Sequence, residues 1–345
     1  MVIAAAVGLS SEMWVESPPA PPLVGFSFSP LISQNADRNP IQDLTYLLQS
    51  TQPDLVRLPI YWELVEPTPE QRDFSSIDEL LEVVAQHNLH SSVTTRVVLT
   101  VGARNFLYPE LHAPAWAGPR TQPYLGQAQS DFPYRDYFAM TITRYRTSPL
   151  LYAWQVENEP LDYVINESTG EDRIDPAQLA WEVGEVHRLD PEHKAALTSY
   201  DSLNVAQDML QIWAPHVFNP FGSSGHPETA MRGADALGLD LYVDGPSIQY
   251  RHLTSISLRS QWKEQAVAFW SDRAQGRGKD MWLAEIQAQP WDDSSTFTPK
   301  DLVASVVGYR QQDLQVALLW GVDTWLEDPA WLSAAGDAMD VLRTP

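Results

Sequence analysis

From Leu23 onward, two patterns of hydrophobic and polar positions alternate to the C-terminus. Eight short runs are apolar almost throughout: 23–29, 55–60, 93–101, 151–157, 195–199, 236–242, 281–286 and 316–320. Runs of this length and content read as parallel strands covered on both faces. Between them, apolar residues recur at helical spacing. The stretch Ser75-Ser76-Ile77-Asp78-Glu79 reads as a hydroxyl cap and early acids, and Leu80, Leu81, Val83 and Val84 supply the apolar face behind it. Further helices are expected to start near Pro40, Asp136, Pro176, Asn204, Ser257, Pro299 and Pro329, where proline at the first position or a polar cap suits a helix start. Eight strands, each followed by a helix, predict an α/β fold of the (β/α)8 TIM-barrel type over residues 23–345. A doubly wound sheet would open on a glycine-rich turn, and Phe26-Ser27-Phe28-Ser29-Pro30 is not one.

Residues 1–22 break the pattern. A short run of small apolar residues from Val2 to Leu9 is followed by Pro18, Pro19, Pro21 and Pro22. The run is far shorter than the ~20 residues a bilayer span needs, and no other stretch approaches that length. It reads either as a disordered tail or as the end of an export signal joined to a proline-rich linker. The first basic residue is Arg38, so the basic start of an export signal is missing. A mobile leader is therefore expected at 1–22, pointing to a secreted or cell-surface location with a cytoplasmic one left open.

Charge and composition narrow the chemistry. The 345 residues carry 45 Asp+Glu against 22 Lys+Arg, a formal charge of −23. Such a surface repels phosphate backbones, so nucleic acid is not an expected partner. The absence of cysteine excludes thiolate metal sites, iron–sulfur clusters and a cysteine nucleophile. The eight histidines show no His-x-His or His-Glu-x-x-His spacing, and neither a Gly-x-Ser-x-Gly elbow nor a P-loop is present. No metal or cofactor is expected.

Two acids stand out. Trp154-Gln155-Val156-Glu157-Asn158-Glu159-Pro160 places Glu159 at the carboxyl end of the fourth strand, and Trp282-Leu283-Ala284-Glu285-Ile286 places Glu285 in the seventh. A barrel's catalytic groups gather at the carboxyl ends of its strands. A glutamate inside so apolar a strand calls for a polar site to receive it. Two carboxylates across one mouth are what glycoside hydrolysis requires: one protonated for the leaving oxygen, one ionised. Arg57, in Val56-Arg57-Leu58-Pro59-Ile60-Tyr61-Trp62, would hold a neighbouring carboxylate ionised.

With these residues the chain, from Leu23 to about Arg343, resembles the retaining β-glycosidases of clan A, in particular their cellulase-like and β-galactosidase-like members. The resemblance implies a (β/α)8 barrel that hydrolyses a carbohydrate substrate, with Glu159 as acid/base, Asn158 as donor to the sugar 2-hydroxyl and Glu285 as nucleophile. It further implies that Arg57 and Tyr242 touch the nucleophile, that Trp320 floors the sugar position, and that Trp325 is a second platform. The stretch Pro109-Glu110-Leu111-His112-Ala113-Pro114-Ala115-Trp116 is similar to a substrate loop of the β-galactosidase-like members and brings in Trp116. Cellulase-like members carry a histidine after strand three and a His-x-Tyr pattern at strand six. This chain has Thr100-Val101-Gly102 and Asp240-Leu241-Tyr242 there, and His226 reads as a surface residue. A transglycosylase using the same two acids, and a carbohydrate-binding barrel without turnover, are alternatives at this point. Deleting residues 1–17 is expected to leave activity and melting temperature unchanged, as for an untied terminus; a truncated protein that no longer folds would make the leader part of the barrel.

Overall fold

The computed structural model describes residues 20–117, 133–161, 165–166, 170–171, 174–200, 226–245 and 253–344. Eight strands form a closed barrel: β1 (Leu23–Ser27), β2 (Leu55–Tyr61), β3 (Arg96–Gly102), β4 (Leu151–Val156), β5 (Lys194–Tyr200), β6 (Ala236–Leu241), β7 (Asp280–Gln287) and β8 (Val316–Trp320). Each strand pairs in parallel with its neighbours in sequence, and β1 closes the ring on β8. A two-residue antiparallel pair, Ile165–Asn166 with Gly170–Glu171, lies in the connection after β4.

The outer helices start where sequence chemistry sets them. Asn39, Asp175, Thr298 and Asp328 each accept a first-turn N–H through the side chain, with Pro40, Pro176, Pro299 and Pro329 following at the first helical position. The helix Ser75–Asn88 corrects the expected hydroxyl cap: Asp73 accepts the N–H of Ser75, and the residue at the cap position is Phe74. The third strand also starts later than its apolar run, at Arg96. Asn88 bonds both the N–H and the carbonyl of Thr95, tying that stretch to the preceding helix end. Residues 1–19 of the leader expected at 1–22, and the helix start expected at Asn204, lie outside the described residues. Among the described residues no helix is long and apolar enough to cross a membrane.

Side-chain alternation sorts the strands into two cores. Outward residues such as Val24, Phe26, Val56, Leu58, Val97, Leu99, Leu237 and Leu283 pack under the helices. Inward ones, Leu55, Val98, Ala153, Ala196, Ala236, Trp282, Val316 and Leu318, fill the barrel interior. Two residues further along the strands the inward positions turn polar at Arg57, Thr100, Gln155 and Thr198; on β6 the same layer is reached four residues on, at Asp240, and Ser27 ends β1. This polar layer is the floor of the mouth at the carboxyl ends.

Two strands are irregular, the two that lead to the glutamates. Pairing steps from Val97↔Leu151 to Val98↔Ala153, so β4 carries an extra residue near its start that brings Ala153 and Gln155 inward. On β7 it steps from Leu239↔Leu283 to Asp240↔Glu285, and from Ala317↔Leu283 to Leu319↔Ile286, so the extra residue lies immediately before Glu285. A bulge there re-aims one side chain without disturbing the closed ring.

Close approach makes one glycine obligatory. A Cβ on Gly25 would lie 1.7 Å from the Leu55 carbonyl oxygen, which belongs to the neighbouring strand's backbone and has no rotamer to escape into. Gly25→Ala is expected to cost more than ~3 kcal/mol in urea denaturation. Gly336→Ala, in the helix Pro329–Arg343 with nothing within 4 Å of the new methyl, is expected to stabilise by about 0.5–1 kcal/mol.

Candidate active site

Arg57 organises the mouth. Its guanidinium is fully buried and reaches three strands: Nε donates to Ser27 Oγ at 2.8 Å, Nη1 to Gln155 Oε1 at 3.0 Å, and Nη2 to Glu285 Oε1 at 2.5 Å. The Phe106 ring covers its face, 4.2 Å from the guanidinium carbon. Only an inward residue could span β1, β4 and β7 together, and only the planar five-donor group of arginine matches three acceptors in one plane.

The second oxygen of Glu285 accepts a hydrogen bond from the Tyr242 hydroxyl. Burial, followed by the charges of Glu285 and Asp240 and then by that of Glu159, raises the Tyr242 phenol well above its ordinary range, so it stays protonated and donating. Glu285 is thus held by an ion pair on one oxygen and a phenol on the other, with its side chain nearly buried. The Tyr242 ring meets Trp291 edge-on at 5.1 Å, and Trp291, on the loop after β7, is 44% exposed. That loop is fixed: Asp244 accepts from Ser295 Oγ at 2.7 Å and from the Thr296 N–H at 3.1 Å, while Gln287 donates to the Asp244 carbonyl at 3.0 Å.

The other acid leaves β4 on a tight turn. Glu157 and Glu159 take left-handed backbone angles, φ 58° and 41°, which cost non-glycine residues ~1–3 kcal/mol each. Every N–H in the turn finds a partner that offsets this: Glu157 donates to the Val101 carbonyl at 2.8 Å, Asn158 to the Arg104 carbonyl at 3.1 Å, and Glu159 to Thr198 Oγ1 at 2.8 Å. Gln155 Nε2 supports the turn from below, donating to the Glu157 carbonyl and to Asn158 Oδ1 at 3.0 and 3.1 Å. Asn158 Nδ2 donates to Glu110 Oε1 at 3.2 Å, and Glu110 pairs with Arg104 at 2.5 Å. Glu159 keeps 9% exposure, and its charge acts on Tyr242, the phenol that holds Glu285.

The structure therefore gathers Arg57, Asn158, Glu159, Tyr242 and Glu285 around one mouth. Trp320 stands at its edge, half-buried, with Phe106 edge-on at 5.8 Å. The other two tryptophans expected at the site are held by contacts of their own. Trp325 is 1% exposed, donates to the Ala288 carbonyl at 2.8 Å and packs edge-on against Phe26, so the second platform expected there has no open face. Trp116 is half-buried, donates to the Glu66 carbonyl at 2.6 Å and packs edge-on against Trp62. His226 stands immediately before the helix Pro227–Gly233 and donates its N–H to Ser199 Oγ at 2.8 Å.

Sequence reasoning passed over Ser27, Gln155, Thr198, Glu110, Phe106 and Trp291. For Ser27, Gln155 and Thr198 the signal was present, a polar residue near the carboxyl end of an apolar strand, the same signal that marked Glu285. For loop residues such as Phe106, Glu110 and Trp291 no periodicity points inward.

No family model matches the chain, and no curated protein matches it by sequence. Solved structures do match by fold. GH5_18 from Streptomyces cattleya, solved in complex with GlcNAc, superposes with a TM-score of 0.66 at 14% identity, covering 95% of this chain and 82% of that one. A β-galactosidase from the psychrophilic Marinomonas ef1 gives 0.57 at 13% identity, covering 92% and 59%. Xylanase 10B from Thermotoga maritima gives 0.54 at 13% identity, covering 86% and 82%. The feature shared with these structures is the (β/α)8 barrel.

The buried ion pair makes a stability prediction independent of substrate. Arg57→Met leaves Glu285 buried opposite an uncharged side chain and is expected to cost ~3–5 kcal/mol in chemical denaturation. Arg57→Met combined with Glu285→Met removes both charges and is expected to recover most of that loss; an additive double variant would refute the coupling.

Proposed function

We propose that this protein is a retaining β-glycosidase that hydrolyses the O-glycosidic bonds of an oligo- or polysaccharide by double displacement. The observation that carries this reading is the contrast in surroundings of two acids at one barrel mouth. Glu285 accepts from a guanidinium on one oxygen and from a phenol on the other. Glu159 sits on a pinned turn with its backbone N–H on Thr198. Barrel neighbours that include glycoside hydrolases of several kinds support the same assignment.

In the first step a Glu285 oxygen attacks the anomeric carbon as the glycosidic C–O bond breaks, and Glu159 gives its proton to the departing oxygen. The sugar is then esterified to Glu285. Arg57 and Tyr242 keep the carboxylate oriented toward its target. In the second step Glu159, now ionised, takes a proton from water as the water oxygen attacks the anomeric carbon. The C–O bond to Glu285 breaks and the hemiacetal leaves with retained configuration. Trp320 and the open face of Trp291 are the aromatic surfaces on which apolar sugar faces would rest. No cofactor enters either step.

A panel of aryl β-glycosides and oligosaccharides tests the reading. The wild-type protein is expected to turn over at least one, and a matching 2-fluoro glycoside to label Glu285 in peptide mass spectra. Glu159→Ala is expected to lose about 10²–10⁴-fold in kcat on a substrate needing acid assistance and to be rescued by azide, with the β-glycosyl azide as product. A wild-type protein that hydrolyses nothing on the panel and takes up no label at Glu285 would overturn it.

A further inference from the structure

Behind the turn that carries Asn158 and Glu159, two further acids are packed together. Glu157 is 0% exposed and Glu182, on the helix Pro176–Leu189, is 1% exposed. The Tyr134 hydroxyl, from the helix Pro133–Tyr145, lies 2.7 Å from Glu157 Oε1 and 2.7 Å from Glu182 Oε1. A phenol has one hydrogen, so it satisfies only one of these contacts. Glu182 Oε1 also accepts from Gln178 Nε2 at 3.0 Å, while Glu182 Oε2 is buried and faces no donor. Two ionised carboxylates would leave this cluster one hydrogen short. A single proton on Glu182, donated to Glu157, completes it.

The two acids are not equivalent. Both oxygens of Glu157 face backbone donors: Oε1 accepts the Ala103 N–H at 3.0 Å and Oε2 the Arg104 N–H at 2.5 Å. Gly102 just before them, at φ 150°, leaves the space, because a Cβ there would lie 2.3 Å from the Glu157 carboxyl carbon. The same loop reaches the turn a second time through Arg104, Glu110 and Asn158. Loop and turn therefore close on one carboxylate.

We infer that Glu157, kept as a hydrogen-bond acceptor by a protonated Glu182, is the positioning residue that holds the turn bearing Glu159 against the loop after β3. The inference rests on the reading of Glu159 as the acid/base. The titratable groups around the cluster are Tyr134 and Tyr137 on one helix, Glu182 on the next, and Glu66 after β2, which acts on Tyr137; Arg104 turns its side chain to Glu110. Burial is the largest influence on both acids. It raises Glu157 to about 7 against the hydrogen bonds from Tyr134, Ala103 and Arg104, and together with the charge of Glu157 it raises Glu182 well above the carboxylate range. Both acids thus bind protons more tightly folded than unfolded. Between their ordinary value of 4.5 and the raised ones the folded state carries more protons, so their contribution to stability is lost as pH rises through that window.

Two isosteric variants separate the roles. Glu182→Gln keeps an oxygen for Tyr134 and Gln178 and gives Glu157 a permanent N–H donor. It is expected to keep kcat and KM within about twofold at pH 8, and to flatten the fall of melting temperature between pH 5 and 8. Glu157→Gln turns an NH2 against one backbone N–H; leaving that buried donor unpaired is expected to lower kcat about 10–100-fold with KM within about threefold. Equal damage from both variants, or none from either, overturns the inference. Should Glu157→Gln fail to fold, an unchanged melting slope in Glu182→Gln overturns it instead. A wild-type protein active on no glycoside removes Glu159 as acid/base and the positioning role with it, and the melting slope still decides separately whether the two acids share a proton.

Discussion

Arg57 and Glu285 place opposite charges out of water at the floor of the barrel mouth, and burying an ion costs several kcal/mol unless its partners are well placed. Arginine makes the demand explicit. Its hydrogen-bonding edges need acceptors, and the structure supplies Ser27 from β1, Gln155 from β4 and Glu285 from β7, with Phe106 over the plane. Four elements are therefore committed by one side chain. The polar layer above an apolar barrel interior follows from it: once Arg57 is inward, its inward neighbours across the barrel must accept hydrogen bonds.

Backbone irregularity is concentrated where the charges need aiming. The bulge before Glu285 and the left-handed residues Glu157 and Glu159 lie at the carboxyl ends of their strands, whereas the strands' first halves pair in register apart from the extra residue in β4. Each irregularity is offset locally. The turn's N–H groups reach β3, the loop after it and β5, so its strain is carried by three elements and does not propagate into the ring. A single-residue insertion in a strand inverts its alternation, so these bulges decide which of two adjacent side chains faces the mouth.

That logic bears on what the sequence could disclose. The barrel was legible because apolar runs of strand length recur between helix starts marked by proline and polar caps, and both signals are local. Glu285 was legible as a charge in an apolar run, and the partners of Arg57 carried the same mark. The bulges were not legible, since an extra residue looks like strand until pairing is known. Nor were the destinations of Trp116 and Trp325, because tryptophan suits a packed interior and a sugar platform equally well and only the neighbours decide. Glu157 stood inside the quoted motif and went unread, its role depending on Tyr134 and Glu182, which come from two separate helices.

The chain settles two buried acids by two different means within one hydrogen-bonded network. Glu285 is compensated by a fixed cation, the Arg57 guanidinium; Glu157 is compensated by hydrogens, one of them carried by another acid. Gln155 joins the two systems. Its oxygen accepts from Arg57 and its nitrogen donates to the Glu157 carbonyl and to Asn158, so the amide can take only one orientation and fixes Arg57 and the turn bearing Glu159 relative to each other. An aspartate or glutamate at this position would add a charge between two acids, and a leucine would leave an Arg57 N–H and the turn carbonyl unpaired. Only a side chain with an acceptor on one branch and donors on the other serves both neighbours, which is the physical reason for an amide at the centre of an otherwise ionic mouth.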